Sequence, residues 1–418
     1  MPGFAWSRSL IDVRAIRSAV SVPRKTIVIH RRKCPSNRSP GPRIPKGALR
    51  RAIIACLETT KGIDDVMPYH AGDWVEVRSK EEILRTLDAG GRLDGLPFMP
   101  QMFQYSGQRF RIYKRAHKTC DTVNGTGGRR LANGLHLNLR CDGKAYGGCQ
   151  ASCLIFWKEA WVKPVVGTTE MAGRSAKGSN GAKTLPIEAG LCSEADVWTA
   201  TRAEGQPSGN ETTYSCQATQ LPRFTTRLRW WDIGQYLEDL RSGNVKLGTF
   251  ISGFCYALFF YFAQSKRTIL GPPLRWLYDR FQALWGGVPF PRRTGTLPPD
   301  RPAPVSNLNL QPGDLVRVKS YGDILATLDG ANKNRGLFFD AELVPFCGQE
   351  YRVRTRLTDF IDEKTGRMTS LRTPAVILED VWCQSRYSTC RVFCPRSIYS
   401  WWREAWLEKI SGSSQGTP

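Results

Sequence analysis

The stretch "GDWVEVRSKEEILRTLD" (72–88) recurs as "GDLVRVKSYGDILATLD" (313–329), with ten of seventeen residues identical at a distance of 241 residues. In each copy a Gly-Asp turn signal precedes valines that alternate with polar residues, the two-residue period of a half-buried strand. The spacing then becomes helical, with Ile83, Leu84 and Leu87 on one face of the first copy. The sequence therefore predicts one strand–helix unit twice, and the duplication predicts two copies of one domain.

The similarity continues to the end of each copy. "YSGQRFRIYKR" (105–115) corresponds to "FCGQEYRVRTR" (346–356), and "FWKEAW" (156–161) corresponds to "WWREAW" (401–406). Alternating apolar and basic residues in the first pair predict a second strand. The stretches "NGTGGRR" and "EKTGR" then predict hairpin turns, each followed by a further strand.

Short strands around Gly-rich turns are typical of a small antiparallel barrel. The order of a "GD-x-V-x-V" strand and a later "Y-x-G-x-x-F-x-I" strand resembles the SH3-like barrels, such as the KOW-type modules and the barrel of the nitrile hydratase beta subunit. The two-copy arrangement is similar to that of bacterial two-repeat proteins. The resemblance implies a fold and no activity. We therefore predict a mostly β protein with a helical connector, of α+β class, containing two homologous SH3-like barrel repeats.

The organisation along the chain follows from the repeats and from composition. The net charge is +23, but residues 1–57 contain thirteen Lys or Arg against one acid, so the repeats themselves are only mildly basic. The predicted segments are a basic disordered leader or mis-called start (1–66), the first SH3-like repeat (67–164), a Gly/Ser-rich linker (165–220), a hydrophobic and amphipathic helical connector (221–290), a Pro-rich linker (291–310), the second repeat (311–410) and a disordered tail (411–418).

The connector admits three interpretations. Residues 247–265 are nineteen residues without a charge, close to the length that spans a bilayer. A span would place two similar cysteine-rich copies on opposite sides of the membrane, and basic residues flank it on both sides. The alternatives are a helix in the plane of a membrane surface, supported by the amphipathic segment 273–285, and a helical hairpin packed between the repeats. The predicted location is the cytoplasm, with association with the cytoplasmic membrane through 221–290.

The thirteen cysteines suggest thiol chemistry, since no secretory signal is recognised and the default compartment is reducing. Three cysteines of each copy correspond, and each copy has one more, so that four thiols per copy match the needs of a closed zinc site. Disulfides and plain packing remain alternatives. The candidate zinc ligands are Cys120, Cys141, Cys149 and Cys153 in the first copy, and Cys347, Cys383, Cys390 and Cys394 in the second.

The number and positions of the histidines limit the kinds of active site that the sequence could form. Only four His occur, and the second copy contains none, which excludes a duplicated His-dependent active site. An alternative function is therefore a metal- or thiol-dependent enzyme with its site in the first repeat, where Cys120 has His117 or His136 as a candidate base.

Binding is the function that the sequence favours. A row of guanidinium groups on the second strand predicts an anion-binding face. Its members are Arg111 and Arg115 in the first copy, and Arg352, Arg354 and Arg356 in the second. The predicted function is a non-enzymatic binding or scaffolding protein. Its candidate partners are a protein, an anionic ligand, a nucleic acid and a membrane surface.

Overall fold

The computed structural model describes residues 69–165, 192–203, 212–263, 271–388 and 391–410. Within them the chain has a mixed α+β structure with several small antiparallel sheets. The predicted leader and tail lie outside the described residues, as does part of the predicted first linker. The helical connector lies between two β-rich halves, which contain the similar stretches 72–88 and 313–329.

The first half is built from strands of two to four residues. Its elements are β1 (Trp74–Val77), α1 (Lys80–Leu84), β2 (Arg92–Leu93), β3 (Leu96–Pro97), β4 (Arg109–Arg111), β5 (Lys114–Arg115), β6 (Lys118–Cys120), β7 (Gly128–Arg130), β8 (Gly134–His136), β9 (Trp157–Lys158) and β10 (Val162–Pro164). They form the sheets β10-β1-β4 and β5-β8-β9, with β2-β3 and β6-β7 as further antiparallel pairs.

The connector is mainly helical. The predicted first linker contains α2 (Glu194–Thr199), and the connector contains α3 (Leu221–Phe224), β11 (Thr226–Leu228), α4 (Gly234–Arg241), α5 (Leu247–Ala263) and α6 (Gly271–Leu284). Strand β11 pairs with β7 of the first half. None of the described helices is long and apolar enough to cross a membrane.

The second half contains a five-stranded sheet of order β17-β16-β15-β12-β18. Its elements are β12 (Leu315–Val318), α7 (Tyr321–Ala326), β13 (Lys333–Asn334), β14 (Leu337–Phe338), β15 (Glu350–Ile361), β16 (Met368–Trp382), β17 (Tyr399–Trp402) and β18 (Leu407–Lys409). Strands β15 and β16 are much longer than any strand of the first half.

Local chemistry explains why the opening stretch has the same structure in both halves. Gly72 and Gly313 adopt φ of 98° and 92°, a left-handed conformation that side chains disfavour. Ser79 then caps α1, because its hydroxyl accepts the Glu82 N–H at 3.2 Å while the Glu82 carboxylate accepts the Ser79 N–H at 2.9 Å. Ser320 caps α7 in the same way, accepting the N–H of Asp323.

The strand pairings of the two halves also correspond. Val75 faces Phe110 in the β1–β4 pair, and Val316 faces Tyr351 in the β12–β15 pair. The closing aromatic motif forms the same bond twice: the indole N–H of Trp161 donates to Thr86 Oγ1, and that of Trp406 donates to Thr327 Oγ1, both at 3.0 Å. Each half therefore ties the 3-10 turn before its last strand to a threonine that follows its first helix.

The sheets of the described residues do not close into the barrel that the resemblance implies. In the second half, β15 has register shifts after Val353 and Leu357 and continues to Ile361 paired only with β16. The bulges turn this two-stranded ribbon away from its own sheet. Its far end, with Ile361 and Met368, packs on the hydrophobic core of the first half.

Gln150 of the first half stabilises the bulge in β15. Its side-chain oxygen accepts the N–H groups of Thr358 and Asp359 at 2.7 and 3.1 Å, and its own N–H donates to the Asp359 carbonyl at 3.0 Å. These bonds satisfy backbone donors that the bulge removes from the β15–β16 ladder. The bulge in β15 is therefore also a contact between the halves.

Parts of the predicted linkers are packed structure. The side-chain amide of Gln217 is buried, donates to the carbonyls of Pro97 and Phe156, and accepts the N–H of Phe156. In the Pro-rich segment, Leu297 donates its N–H to the Leu328 carbonyl at 3.0 Å. The composition of these two segments predicted flexible linkers, because polar residues and prolines are common in linkers. In the structure, Gln217 and Leu297 form specific hydrogen bonds with other parts of the chain.

A buried ion pair joins the first half, the connector and the second half. Lys118 of β6 donates to Asp239 of α4 at 2.5 Å and to the Val392 carbonyl of the second half at 3.0 Å. Asp239 is fully buried and Lys118 is 3% exposed. Burial lowers the pKa of Lys118, and the Asp239 carboxylate opposes that shift. We call this contact the Lys118 junction.

We expect Asp239→Asn to destabilise the chain by roughly 3–5 kcal/mol, because an ammonium group would then be buried without its counter-charge. Urea unfolding of the full chain measures the change. Glu350→Gln is the matched control, since the Arg317–Glu350 pair is about half exposed, with side chains 52% and 44% accessible. Equal stability of the Asp239 variant and the control would contradict a structural role for the junction.

Candidate functional site

The structure groups the predicted zinc ligands of the first half differently from the sequence analysis. Cys141 and Cys149 pack on the first-half core together with Cys216, a cysteine of the predicted first linker that the repeats did not identify. Burial raises the pKa of the Cys141 thiol to about 12, and the nearby Cys216 thiol adds to the shift. Cys153 is half-buried, and desolvation raises the pKa of its thiol well above the usual value. Cys216, rather than Cys120, is therefore the fourth cysteine of this region.

Cys120 instead lies with cysteines of the second half. Its side chain forms a hydrogen bond with the Cys394 thiol, and Cys383 is close enough to interact electrostatically with Cys394. Cys347 is separate from this group: it contacts the Leu343 carbonyl, and burial alone raises its pKa to about 12. Cys390 lies outside the described residues. Among the predicted zinc ligands of the second copy, Cys120 of the first half thus takes the place of Cys347.

The thiols of the described chain are near one another without forming a preformed metal centre. No group of three or more His, Cys, Asp or Glu side chains within the described ranges is arranged to hold a metal ion. Thiolates remain the ligands that zinc favours. Zinc binding therefore stays a prediction from the sequence, with regrouped cysteines.

The two candidate bases of the first repeat are enclosed. His136 is fully buried, with Nδ1 2.8 Å from the Ile155 carbonyl and its ring against Phe156. His117 is 2% exposed, and its Nε2 lies 3.3 Å from Asp239 Oδ1. A general base must reach the proton that it removes from a substrate. In this conformation neither imidazole is open to one.

Two of the predicted anion-binding arginines are engaged within the protein. Arg115 is 6% exposed and forms an ion pair with Glu159 at 2.7 Å. Arg356 lies 3.9 Å from Glu404 at the equivalent place in the second half. Both glutamates belong to the closing aromatic motif, whose Trp side chains are fully buried: Trp157, Trp161, Trp402 and Trp406. The motif is therefore aromatic packing around a paired carboxylate, and these two guanidinium groups stabilise it.

The other three predicted arginines lie on the surface. Arg111 is exposed and its guanidinium group lies 5.7 Å from the ring centroid of Trp74. Arg352 and Arg354 are also exposed, and Arg354 lies 5.3 Å from the ring centroid of Tyr399. Arg354 lines an open polar cleft of about 370 Å³ between the halves. The predicted row is thus divided into separate positions, and its role in anion binding stays a prediction.

The connector exposes a second kind of surface. On α5, Leu247, Ile251, Phe254 and Leu258 recur at helical spacing and are 38–63% exposed. The opposite face of α5 packs on the second half, where Gly253 allows the Phe393 ring to approach so closely that a Cβ would clash with it. The helix is therefore anchored along one side and apolar along the other.

Helix α6 repeats this arrangement. It packs on α5 through Tyr278, whose ring stacks on Phe259 with centroids 4.9 Å apart. Its outer side exposes Trp276, Leu277, Phe281, Leu284 and Trp285, which are 56–80% accessible. Trp230, Trp231 and Ile233, just before α4, are 51–57% exposed. We call these three groups of exposed residues together the connector surface.

No protein-family model and no curated protein matches this sequence. Function is therefore inferred from the contacts, exposure and charge of the described residues. Two features are not explained by internal packing: the thiol contact between the halves and the connector surface.

We expect the stability of the chain to fall as pH decreases from about 6.5 toward 3. Burial lowers the pKa of His136 to about 3, whereas an unfolded His titrates near 6.5. Between these values the unfolded chain binds a proton that the native chain does not, which favours unfolding by up to about 1.4 kcal/mol per pH unit.

Urea unfolding of the wild type and of His136→Asn between pH 4 and 7 tests this linkage. The stability of the variant relative to the wild type should improve as the pH is lowered, because Asn takes up no proton. Parallel pH profiles for the two proteins would show that His136 does not remain neutral in the native state.

Proposed function

We propose that this chain is a non-enzymatic binding or scaffolding protein that docks on anionic membrane surfaces through the connector surface. One observation carries the proposal. Twelve of the fifteen large apolar side chains that the described residues expose lie between Trp230 and Trp285. Scattered exposed apolar residues are normal, but a concentrated patch is typical of an interaction site.

The composition of the patch favours a lipid interface. Tryptophan and bulky aliphatic residues on the outer side of an amphipathic helix can enter the boundary between headgroups and acyl chains, while the other side remains on the protein. Two guanidinium groups accompany these residues: Arg229 lies 5.3 Å from the ring centroid of Trp231, and Arg280 lies 5.4 Å from that of Trp276. Cations adjacent to interfacial aromatics are well placed to meet lipid phosphates.

The charge balance of the connector supports an anionic surface. Residues 227–285 contain eight Lys or Arg and four acidic residues. Three of the acids are already paired, Asp239 with Lys118, Glu238 with Arg130 and Asp279 with Arg293. The remaining positive charge attracts anionic lipids, and each basic residue near such a surface contributes on the order of 1 kcal/mol.

We also infer that the two halves are copies of one SH3-like unit, which supplies the scaffold. The corresponding pairings of Val75 and Val316, and the corresponding Trp–Thr bonds, support a common origin. On this proposal the exposed Arg352 and Arg354 remain available to a protein or anionic partner while the connector contacts lipid.

Flotation of the full chain with vesicles tests the docking proposal. We expect binding to vesicles that contain phosphatidylserine, weaker binding to pure phosphatidylcholine, and partial loss as salt is raised. Trp276→Ala/Trp285→Ala should weaken binding at least about tenfold, because two interfacial side chains are removed.

The matched control is Trp74→Ala/Trp198→Ala. Those residues are 40% and 50% exposed but lie outside the connector surface, so their removal should leave vesicle binding unchanged. Equal losses in the two double variants, or no binding of the wild type to either vesicle, would disprove docking through this surface.

A further inference from the structure

The thiol contact between the halves brings together residues that are distant in the sequence. Cys120 is the last residue of β6, and Cys394 lies in the loop between β16 and β17. Their side chains form a hydrogen bond, and they are 5% and 4% exposed. Hydrogen-bonded thiols on adjacent segments are candidates for a disulfide, which forms where the two Cα atoms lie about 4.4–6.8 Å apart.

The backbones on both sides of this contact are held in place. Lys118, two residues before Cys120, donates to the Val392 carbonyl at 3.0 Å. Arg396, two residues after Cys394, donates from Nη1 to Thr122 Oγ1 at 2.5 Å and lies 3.4 Å from the Cys120 carbonyl. Hydrogen bonds between the same two segments therefore lie on both sides of the thiol contact.

We propose that Cys120 and Cys394 are a redox-active dithiol, which peroxide converts to a disulfide between the two halves. One thiol gives up two electrons to hydrogen peroxide and becomes a sulfenic acid, with release of one water. The second thiol attacks that sulfur, the S–S bond forms, and the hydroxyl leaves as a second water. Two thiols and one peroxide thus give one disulfide and two waters.

The surroundings indicate which oxidant can act. The nearly complete burial of both thiols excludes a bulky disulfide unless the junction opens, whereas hydrogen peroxide is about the size of a few water molecules. The Lys118 side chain lies close enough to interact electrostatically with the Cys394 sulfur. The hydrogen bond with Cys120 and burial both raise the pKa of the Cys394 thiol well above its usual value, so the reaction should be slower than that of the exposed Cys255.

Peptide mapping of the full chain tests the proposal. The protein carries Cys255→Ser, which removes the exposed thiol, and is treated with hydrogen peroxide, alkylated under denaturing conditions and digested. We expect two fewer alkylated cysteines, a mass loss of two hydrogens, and one cross-linked peptide pair that contains Cys120 and Cys394. Cys120→Ser and Cys394→Ser should each abolish that pair, whereas Cys153→Ser should leave it.

Three results would overturn the proposal. They are a disulfide from Cys120 to Cys383 or Cys390, oxidation of Cys394 to sulfinic acid without a cross-link, and an equal yield of the cross-link in the chain unfolded in urea. The map of the parent protein gives this answer even where a serine variant fails to fold.

Discussion

The position of the connector depends on the Lys118 junction. An ammonium and a carboxylate removed from water are costly, and their attraction compensates only when geometry and further hydrogen bonds are good. Here Lys118 meets both Asp239 and the Val392 carbonyl, so one side chain fixes β6 of the first half, helix α4 of the connector and the loop of the second half that contains Cys394. The thiol contact and the packing of α5 on Phe393 lie next to it. Because this attachment fixes one side of the connector against protein, the opposite sides of α5 and α6 are the ones left exposed.

Each half adds its own closure to this shared contact. A carboxylate in the closing motif pairs with a strand arginine, Glu159 with Arg115 and Glu404 with Arg356, while the neighbouring indole donates to the threonine that follows the first helix. The two arginine–glutamate pairs lie in different surroundings. Arg115 is covered by the connector, where Glu238 lies 3.7 Å from it, whereas Arg356 remains partly accessible. The internal closure is therefore similar in the two halves, whereas the contacts around it differ.

The sequence predicted the features that depend on neighbouring residues. The Gly-Asp turn, the Val-x-Val strand and the helix with Ile83 buried occur in both halves because turn, period and cap are local properties. Contacts between distant segments were not predictable. Alternation placed Arg115 opposite the apolar residues but gave no sign that α4 would cover it. Spacing suggested Cys120 and Cys347 as fourth ligands, whereas the structure places Cys216 and Cys120 in those regions, through contacts without a sequence pattern. The barrel was expected from strands and turns, whereas one bulge of β15 is contacted by Gln150 of the other half, which no local pattern indicates.

The β15–β16 ribbon has a consequence for the synthesis of the protein. Ile361 and Met368 pack on the core of the first half, although they follow it by about two hundred residues. A ribosome that has completed the first half has therefore not yet made two of the side chains that cover its core. The core of the first half therefore stays partly uncovered while the connector and most of the second half are synthesised. The exposed apolar stretch of α5 leaves the ribosome during this interval, so the nascent chain presents its most aggregation-prone surfaces together. A chaperone that binds nascent apolar segments would have its longest period of access here.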